Sequence, residues 1–464
     1  MAAISFRRSG RRGLPRPTLL VAIAFLVVAG SYAAATVFRP ASAPATVAGG
    51  ETIPLPDAAA VSTETSLAQI DSAIGVWSAN LARDGADFVS ATNLAGMYAA
   101  RARLTGAVDD YQRADAAVDR ALAAYPQGIA AQELHAQLLF ATHDFAGARS
   151  DAQAIVNANP GELVALATVG DAALELGDYT AAARVFTTLS AKAPSAAVTA
   201  RQAHLAALLG QVAVAQRLAA KAVSQSTAAK DSPTDRSWYE YLAGYLAYQF
   251  GDLATAERQF RAATADWPGS YLATAGLART RAAQGATAEA ITLYQRAVAI
   301  VPQPEFLADL GDLYQLSGRA ADANAQYALV RAIGHLQSIQ AQVYNRQLVL
   351  FDANHGEQAA DALRLAQREL AVRKDVYGWD AYAWALYEND RFADADRAEA
   401  HAGLQGTIDP LLDYHQGMIA AALGRTADAR RLLTAALDRN PGFDPLQASR
   451  ARAELARLAG GAAQ

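Results

Sequence analysis

The chain has 464 residues, 40 of them basic and 45 acidic, for a net charge of −5, and it has no cysteine. Lysine is confined to Lys192, Lys221, Lys230 and Lys374 and the arginines are scattered, so there is no basic face for nucleic acid. The missing cysteine excludes disulfides, thiolate metal sites, a cysteine nucleophile and cysteine lipidation. The apolar fraction is 52% but the aromatic fraction only 8%, so most apolar mass is alanine, which favours helix and lets helices approach closely. This composition predicts an all-α protein, with room for two or three globular domains or one extended array.

Residues 1–17 carry Arg7, Arg8, Arg11, Arg12 and Arg16, and the uncharged run TLLVAIAFLVVAGSYAAATVF follows at 18–38. A basic flank before an apolar run of about 20 residues engages a membrane and keeps the arginines in the cytoplasm. Its length favours a retained transmembrane helix. The small residues of SYAAATV and PASAPAT also offer a cleavage site, so an exported protein with a removed signal stands as the alternative. Residues 39–61, rich in Pro, Ala, Gly and Thr, read as a flexible linker, with structure expected from Ser62.

Beyond that point the chain repeats. Pro160 to Pro194 and Pro268 to Pro302 are each 34 residues apart, and Ala148, Ala182, Ala215, Ala256, Ala290, Ala323, Ala395 and Ala429 step by 34, 33, 41, 34, 33, 72 and 34. The step of 41 contains the polar insertion SQSTAAKDSPTDRS, at 224–237, which could be a loop over a groove or a joint between sub-arrays; the step of 72 spans two units. Each unit predicts a helical hairpin. Gly177, Gly251, Gly285, Gly318 and Gly424 end first helices, where a left-handed residue is wanted. Gly170, Gly244, Gly311 and Gly417 stand where paired helices cross, Phe186, Phe260, Tyr294 and Tyr327 fill the space beside them, and a proline follows the second helix. A single hairpin cannot bury its apolar face, so neighbours must stack.

LADLGDLYQLSGRAADANAQY, GYLAYQFGDLATAERQFRAATADWP and GDAALELGDYTAAARVFTTLSAKAP resemble tetratricopeptide repeats, with L-G, then Tyr, then A-x3-F and a closing Pro. The resemblance covers most of residues 85–441, about ten units, and the stretch from YGWDAYAWALYENDR through NPGF is similar to the end of an uncharacterised bacterial subgroup of such proteins. Residues 85–126 and 337–375 depart from the pattern, and Asp390 replaces a turn glycine. The resemblance implies a right-handed superhelical solenoid over 62–441, a capping helix and tail at 442–464, and first helices lining a concave groove that binds peptides or partner proteins.

No enzyme signature is present: there is no H-E-x-x-H, no Gly-rich loop ending in Lys-Ser or Lys-Thr, no G-x-S-x-G and no strand pattern for a dinucleotide fingerprint. His401 and His415, in HAGLQGTIDPLLDYHQG, fall on successive helices, and Asp413 and His415 point to different faces, so they read as two exposed or partly buried histidines on repeat surfaces, with Asp409 opening a helix. The chain is thus expected to be non-catalytic, with no metal and no cofactor; the third reading, a metal-dependent enzyme, requires His401 and His415 to converge on a metal with Asp409 or Asp413.

Two aromatic stripes stand out instead. Trp238, Tyr241, Tyr245 and Tyr248 share one face of a first helix, and Tyr377, Asp380, Trp384 and Tyr387 share another, with Arg279 and Asp312 at comparable positions between them. These ten are the predicted groove residues, since aromatics with polar tips suit peptide recognition. The expected function is a membrane-tethered, extracytoplasmic scaffold that captures a protein or peptide. The alternative is a structural component of an envelope, pilus or secretion assembly.

Overall fold

The computed structural model describes residues 45–46, 52–53, 63–339, 346–355 and 359–460. The expected basic segment and membrane helix, 1–38, lie outside the described residues. Among the described residues no helix is long and apolar enough to cross a membrane. A two-residue strand β1 (Ala45–Thr46) pairs antiparallel with β2 (Thr52–Ile53).

The remainder is helical. After α1 (Thr63–Arg83) come antiparallel hairpins: α2 (Phe88–Thr105) with α3 (Val108–Ala124), α4 (Ile129–Ala141) with α5 (Phe145–Ala158), and α6 (Leu163–Glu175) with α7 (Tyr179–Lys192). Then follow α8 (Ala196–Leu208) with α9 (Val212–Ala229), α10 (Pro233–Gln249) with α11 (Leu253–Asp266), and α12 (Tyr271–Ala283) with α13 (Thr287–Ile300). The last hairpins are α14 (Pro304–Leu316) with α15 (Ala320–Ile339), α16 (Arg346–His355) with α17 (Ala359–Val372), α18 (Val376–Tyr387) with α19 (Phe392–Gly403), and α20 (Pro410–Ala422) with α21 (Thr426–Arg439). Helix α22 (Gln447–Gly460) packs on the final pair.

The turns follow from two residues each. Gly177 and Gly251 adopt φ of +76° and +85° to end α6 and α10, and the next residue, Asp178 or Asp252, caps the following helix by accepting from the amide of Ala181 or Thr255. Asp390 takes the same left-handed conformation, φ +57°, where the glycine is missing. The helix crossings explain the mid-helix glycines: a Cβ on Gly170, Gly244, Gly311 or Gly417 would sit 2.4–2.8 Å from Phe186, Phe260, Tyr327 or Leu433. The repeat alanines, Ala148 through Ala429, are fully buried at those crossings.

The polar insertion at 224–237 is neither a loop over a groove nor a joint. It lengthens its hairpin: α9 runs 18 residues where α7 and α11 run 14, and α10 begins at Pro233, capped by Ser232, and runs 17 where α12 runs 13. Gln225, Ala228 and Ala229 continue α9, and the poor helix formers sit where a helix tolerates them, Ser232 as the cap and Pro233 in the first turn of α10.

The superhelix closes on itself. The turns that end α6, α8 and α10 meet the segments that precede α18, α20 and α22, nearly six repeats later. The amide of Lys374 donates to the Glu175 carbonyl at 3.0 Å, and the amide of Val376 donates to the Tyr179 hydroxyl at 2.9 Å. The Gln249 side chain donates to the Ile408 carbonyl at 2.9 Å, and Tyr248 donates to the Phe443 carbonyl at 3.0 Å. Gly177, Gly210 and Gly251 are needed here for a second reason, because a Cβ on them would strike the carbonyls of Lys374, Gly406 and Arg439.

Candidate binding cavity

The closure turns the expected open groove into a partly enclosed space, because first helices of early repeats now face first helices of late ones. The larger part, about 240 Å³, is walled by α10, α12, α14, α16, the starts of α18 and α20, and the segment between α21 and α22. A smaller part, about 90 Å³, lies against α6, α8 and α10 and the start of α18. Tyr241, Tyr245, Arg346 and Tyr377 line both. A single water needs only about 10–15 Å³, so this space is of ligand rather than solvent-molecule size.

Seven of the ten predicted groove residues come together here. Trp238 lines the smaller part, Tyr248, Arg279 and Asp312 the larger, and Tyr241, Tyr245 and Tyr377 both. Arg279 bridges Glu305 at 2.5 Å and Asp309 at 2.9 Å. Asp312 accepts from the Tyr327 hydroxyl at 2.7 Å and lies 2.8 Å from His355 Nε2. Burial opposes the charged form of His355, but the Asp312 carboxylate outweighs it and raises the imidazole above its ordinary value. Tyr377 donates to Asp409 at 3.1 Å and accepts from Gln249 at 3.0 Å.

The other three are placed elsewhere. Trp384 is fully buried, donates to Asn354 at 2.8 Å and stacks between Tyr387 and His415 at centroid distances of 4.6 and 4.2 Å. Asp380 is buried against His415 Nδ1 at 2.7 Å. Tyr387 packs on Trp384 and Phe392, away from the cavity. In α18 only Tyr377 of the stripe reaches the cavity; Asp380 and Trp384 pack against His415 of α20, and Tyr387 against Trp384 and Phe392.

His415 is also a correction: it is a fully buried core group and not a surface one. Burial drives its imidazole down to about 4, and burial, reinforced by Asp380, drives the nearby Glu399 up to about 8, so both are neutral at pH 7. His401 is exposed and stacks on Trp379 at 4.2 Å. Apart from the cavity, the exposed Asp115 and Asp119 of α3 and the half-buried His135 of α4 bring ligand atoms within 4.8 Å of one another, a grouping that sequence inspection missed because it spans two helices.

Several cavity residues also escaped the sequence reading. Gln303, Arg346 and Asp444 lie outside the repeat stripes, and only the closure brings Arg346 and Asp444 to the cavity. Arg346 pairs with Asp375 at 3.3 Å. Asp409 was legible as a helix cap, which it is, accepting from Leu411 at 2.8 Å, but not as a wall of a cavity.

Residues 241–305, covering most of α10 through the start of α14, match the family model for the tetratricopeptide repeat. Residues 241–305 are tetratricopeptide repeats. The array is similar to a tetratricopeptide repeat protein from Parabacteroides merdae, with 18% identity, 50% of this chain and 88% of that one covered, and a TM-score of 0.40. It is likewise similar to human IFIT1, solved as a dimer with PPP-AAAA, at 12% identity, 81% and 86% coverage and a TM-score of 0.44. PilW, a type IV pilus biogenesis factor, gives 21% identity, 48% and 97% coverage and a TM-score of 0.38. Among curated proteins none matches this chain.

Proposed function

We propose that this tetratricopeptide protein is a non-catalytic scaffold that binds a short segment of a partner protein inside the cavity closed by its repeats. The observation that carries this reading is the convergence of Tyr241, Tyr245 and Tyr377, from first helices on opposite sides of the closure, on one space lined by both apolar and charged groups. A tyrosine offers an apolar ring and a hydrogen-bonding tip at small entropic cost, which suits a peptide that has both kinds of surface. Residues 18–38 would tether the array to the membrane, with the repeats outside the cytoplasm and 39–61 as the spacer.

A photoreactive phenylalanine analogue at Tyr245, with the exposed Leu329 of α15 as the control position, tests the assignment in cells. Crosslinking of one partner from position 245 and not from 329 is expected. Crosslinks from 329 alone would place the binding surface on the outside of the solenoid and refute the cavity.

A further inference from the structure

The charges around the larger part of the cavity do not balance locally. Five carboxylates line it, Glu305, Asp309, Asp312, Asp409 and Asp444, against two guanidiniums, Arg279 and Arg346, and the imidazole of His355. Arg279 is taken up by Glu305 and Asp309, and His355 by Asp312. Arg346 is turned to Asp375, in the smaller part. Asp409 and Asp444 form no ion pair among the described residues; the field of His355 reaches Asp444.

Their remaining bonds are all to neutral donors. Asp409 accepts from the Tyr377 hydroxyl and the Leu411 amide. Asp444 accepts from the amides of Leu446 and Gln447, both on Oδ1, which leaves Oδ2 without a protein donor among the described residues. Burial pushes each of these carboxyls up to about 6, so holding them ionised at neutral pH carries a cost that a nearby cation would relieve.

A second, independent group borders the same space. Gln303, the residue before α14, is 2% exposed, and its side-chain Nε2 has no hydrogen-bond partner among the described residues. Nε2 is a donor, and a buried donor left unanswered costs about 1–3 kcal/mol. It calls for an acceptor such as a peptide carbonyl. A metal ion or a polyamine offers cations but no acceptor, and would leave Gln303 as it is. Phe306, Leu350, Phe351 and Phe443 supply apolar walls on the same cavity.

We propose that the occupant is an extended peptide with a lysine or arginine flanked by apolar residues, its cation facing Asp409 and Asp444 and one of its backbone carbonyls accepting from Gln303. This rests on the reading of the cavity as a peptide site and adds the chemistry of the peptide. Charge complementarity in a partly enclosed site is worth more than at an open surface, because less solvent screens it.

The test compares acetyl-Ala-Leu-Arg-Leu-Ala-amide with the same peptide carrying citrulline, which has nearly the shape of arginine without its charge. Both are titrated calorimetrically into the full-length chain. The arginine peptide is expected to bind at least about tenfold more tightly, the equivalent of about 1.4 kcal/mol. In Asp409→Asn/Asp444→Asn that ratio is expected to fall to within about twofold; asparagine keeps the side-chain oxygen that accepts the backbone amides, so the local turns are preserved. Gln303→Met is expected to weaken both peptides equally, by several-fold. Equal binding of the two peptides to the wild type would overturn the cation assignment while leaving the peptide site intact. A preference that survives in the double variant would place the cation elsewhere and overturn it as well. Binding of neither peptide would overturn this proposal together with the peptide reading beneath it.

Discussion

Gly251→Ala tests the closure of the array. Gly251 has φ of +85°, and a Cβ there would sit 2.0 Å from the carbonyl oxygen of Arg439. Gly318 ends α14 in the same way, with φ of +73°, but has open space around it. Alanine at either position meets the left-handed penalty of about 1–2 kcal/mol. At Gly251 alone the carbonyl must also move, which adds an overpacking cost of about 1–3 kcal/mol. Gly251→Ala is therefore expected to lose more stability than Gly318→Ala by that second amount, read from urea unfolding. Small-angle scattering should show a larger radius of gyration for Gly251→Ala only, as the turn lifts from the residues before α22. Equal losses in the two variants, with unchanged scattering, would show that Gly251 and Arg439 do not meet in solution.

Other outcomes follow from buried groups. Asp171 and Arg201, joined by contacts of 2.8–3.1 Å and each nearly inaccessible, form an inter-repeat ion pair; Asp171→Ala is expected to cost about 3–5 kcal/mol by stranding Arg201. The double change Asp171→Leu/Arg201→Met should recover most of that loss, and a single-variant cost under about 1 kcal/mol by urea unfolding would contradict the pair. Glu399, raised to about 8 in the folded protein from 4.5, holds its proton there when the unfolded chain has lost it. Wild-type stability from this group thus declines as pH rises from 4.5 towards 8, and Glu399→Gln removes the decline. Between pH 5 and 7.5 the variant should gain roughly 3 kcal/mol relative to the wild type; a difference that does not change with pH would refute a protonated Glu399.

What the sequence discloses here is whatever repeats at short range. Gly244 and Phe260 are 16 residues apart, as are Gly170 and Phe186, and their contact is local enough to be read from spacing. The left-handed turns and their aspartate caps are legible for the same reason. Trp238 and Trp384 occupy similar places in similar stripes, yet one lines a cavity and the other is sealed beneath His415, because what lies across from each is set by distant repeats. The closure depends on small rotations accumulated over nearly six hairpins, and no local pattern records that sum. Arg346 and Asp444 were therefore invisible as site residues, and the polar insertion at 224–237 was misread because turn-rich composition hid its helical extension.

The hydrogen bonds from Val376 to Tyr179 and from Thr407 to the Leu208 carbonyl join residues 197 and 199 positions apart. A solenoid whose repeats touch only their neighbours can assemble progressively as it leaves the ribosome. This one cannot finish that way. At synthesis rates of about 5–20 residues per second, the segments that receive α6 and α8 emerge roughly 10–40 s after those helices do. During that interval the inner faces of α6 and α8, and of α10 with Tyr241, Tyr245 and Tyr248, are uncovered in the nascent chain, and they are shielded only once the late repeats arrive.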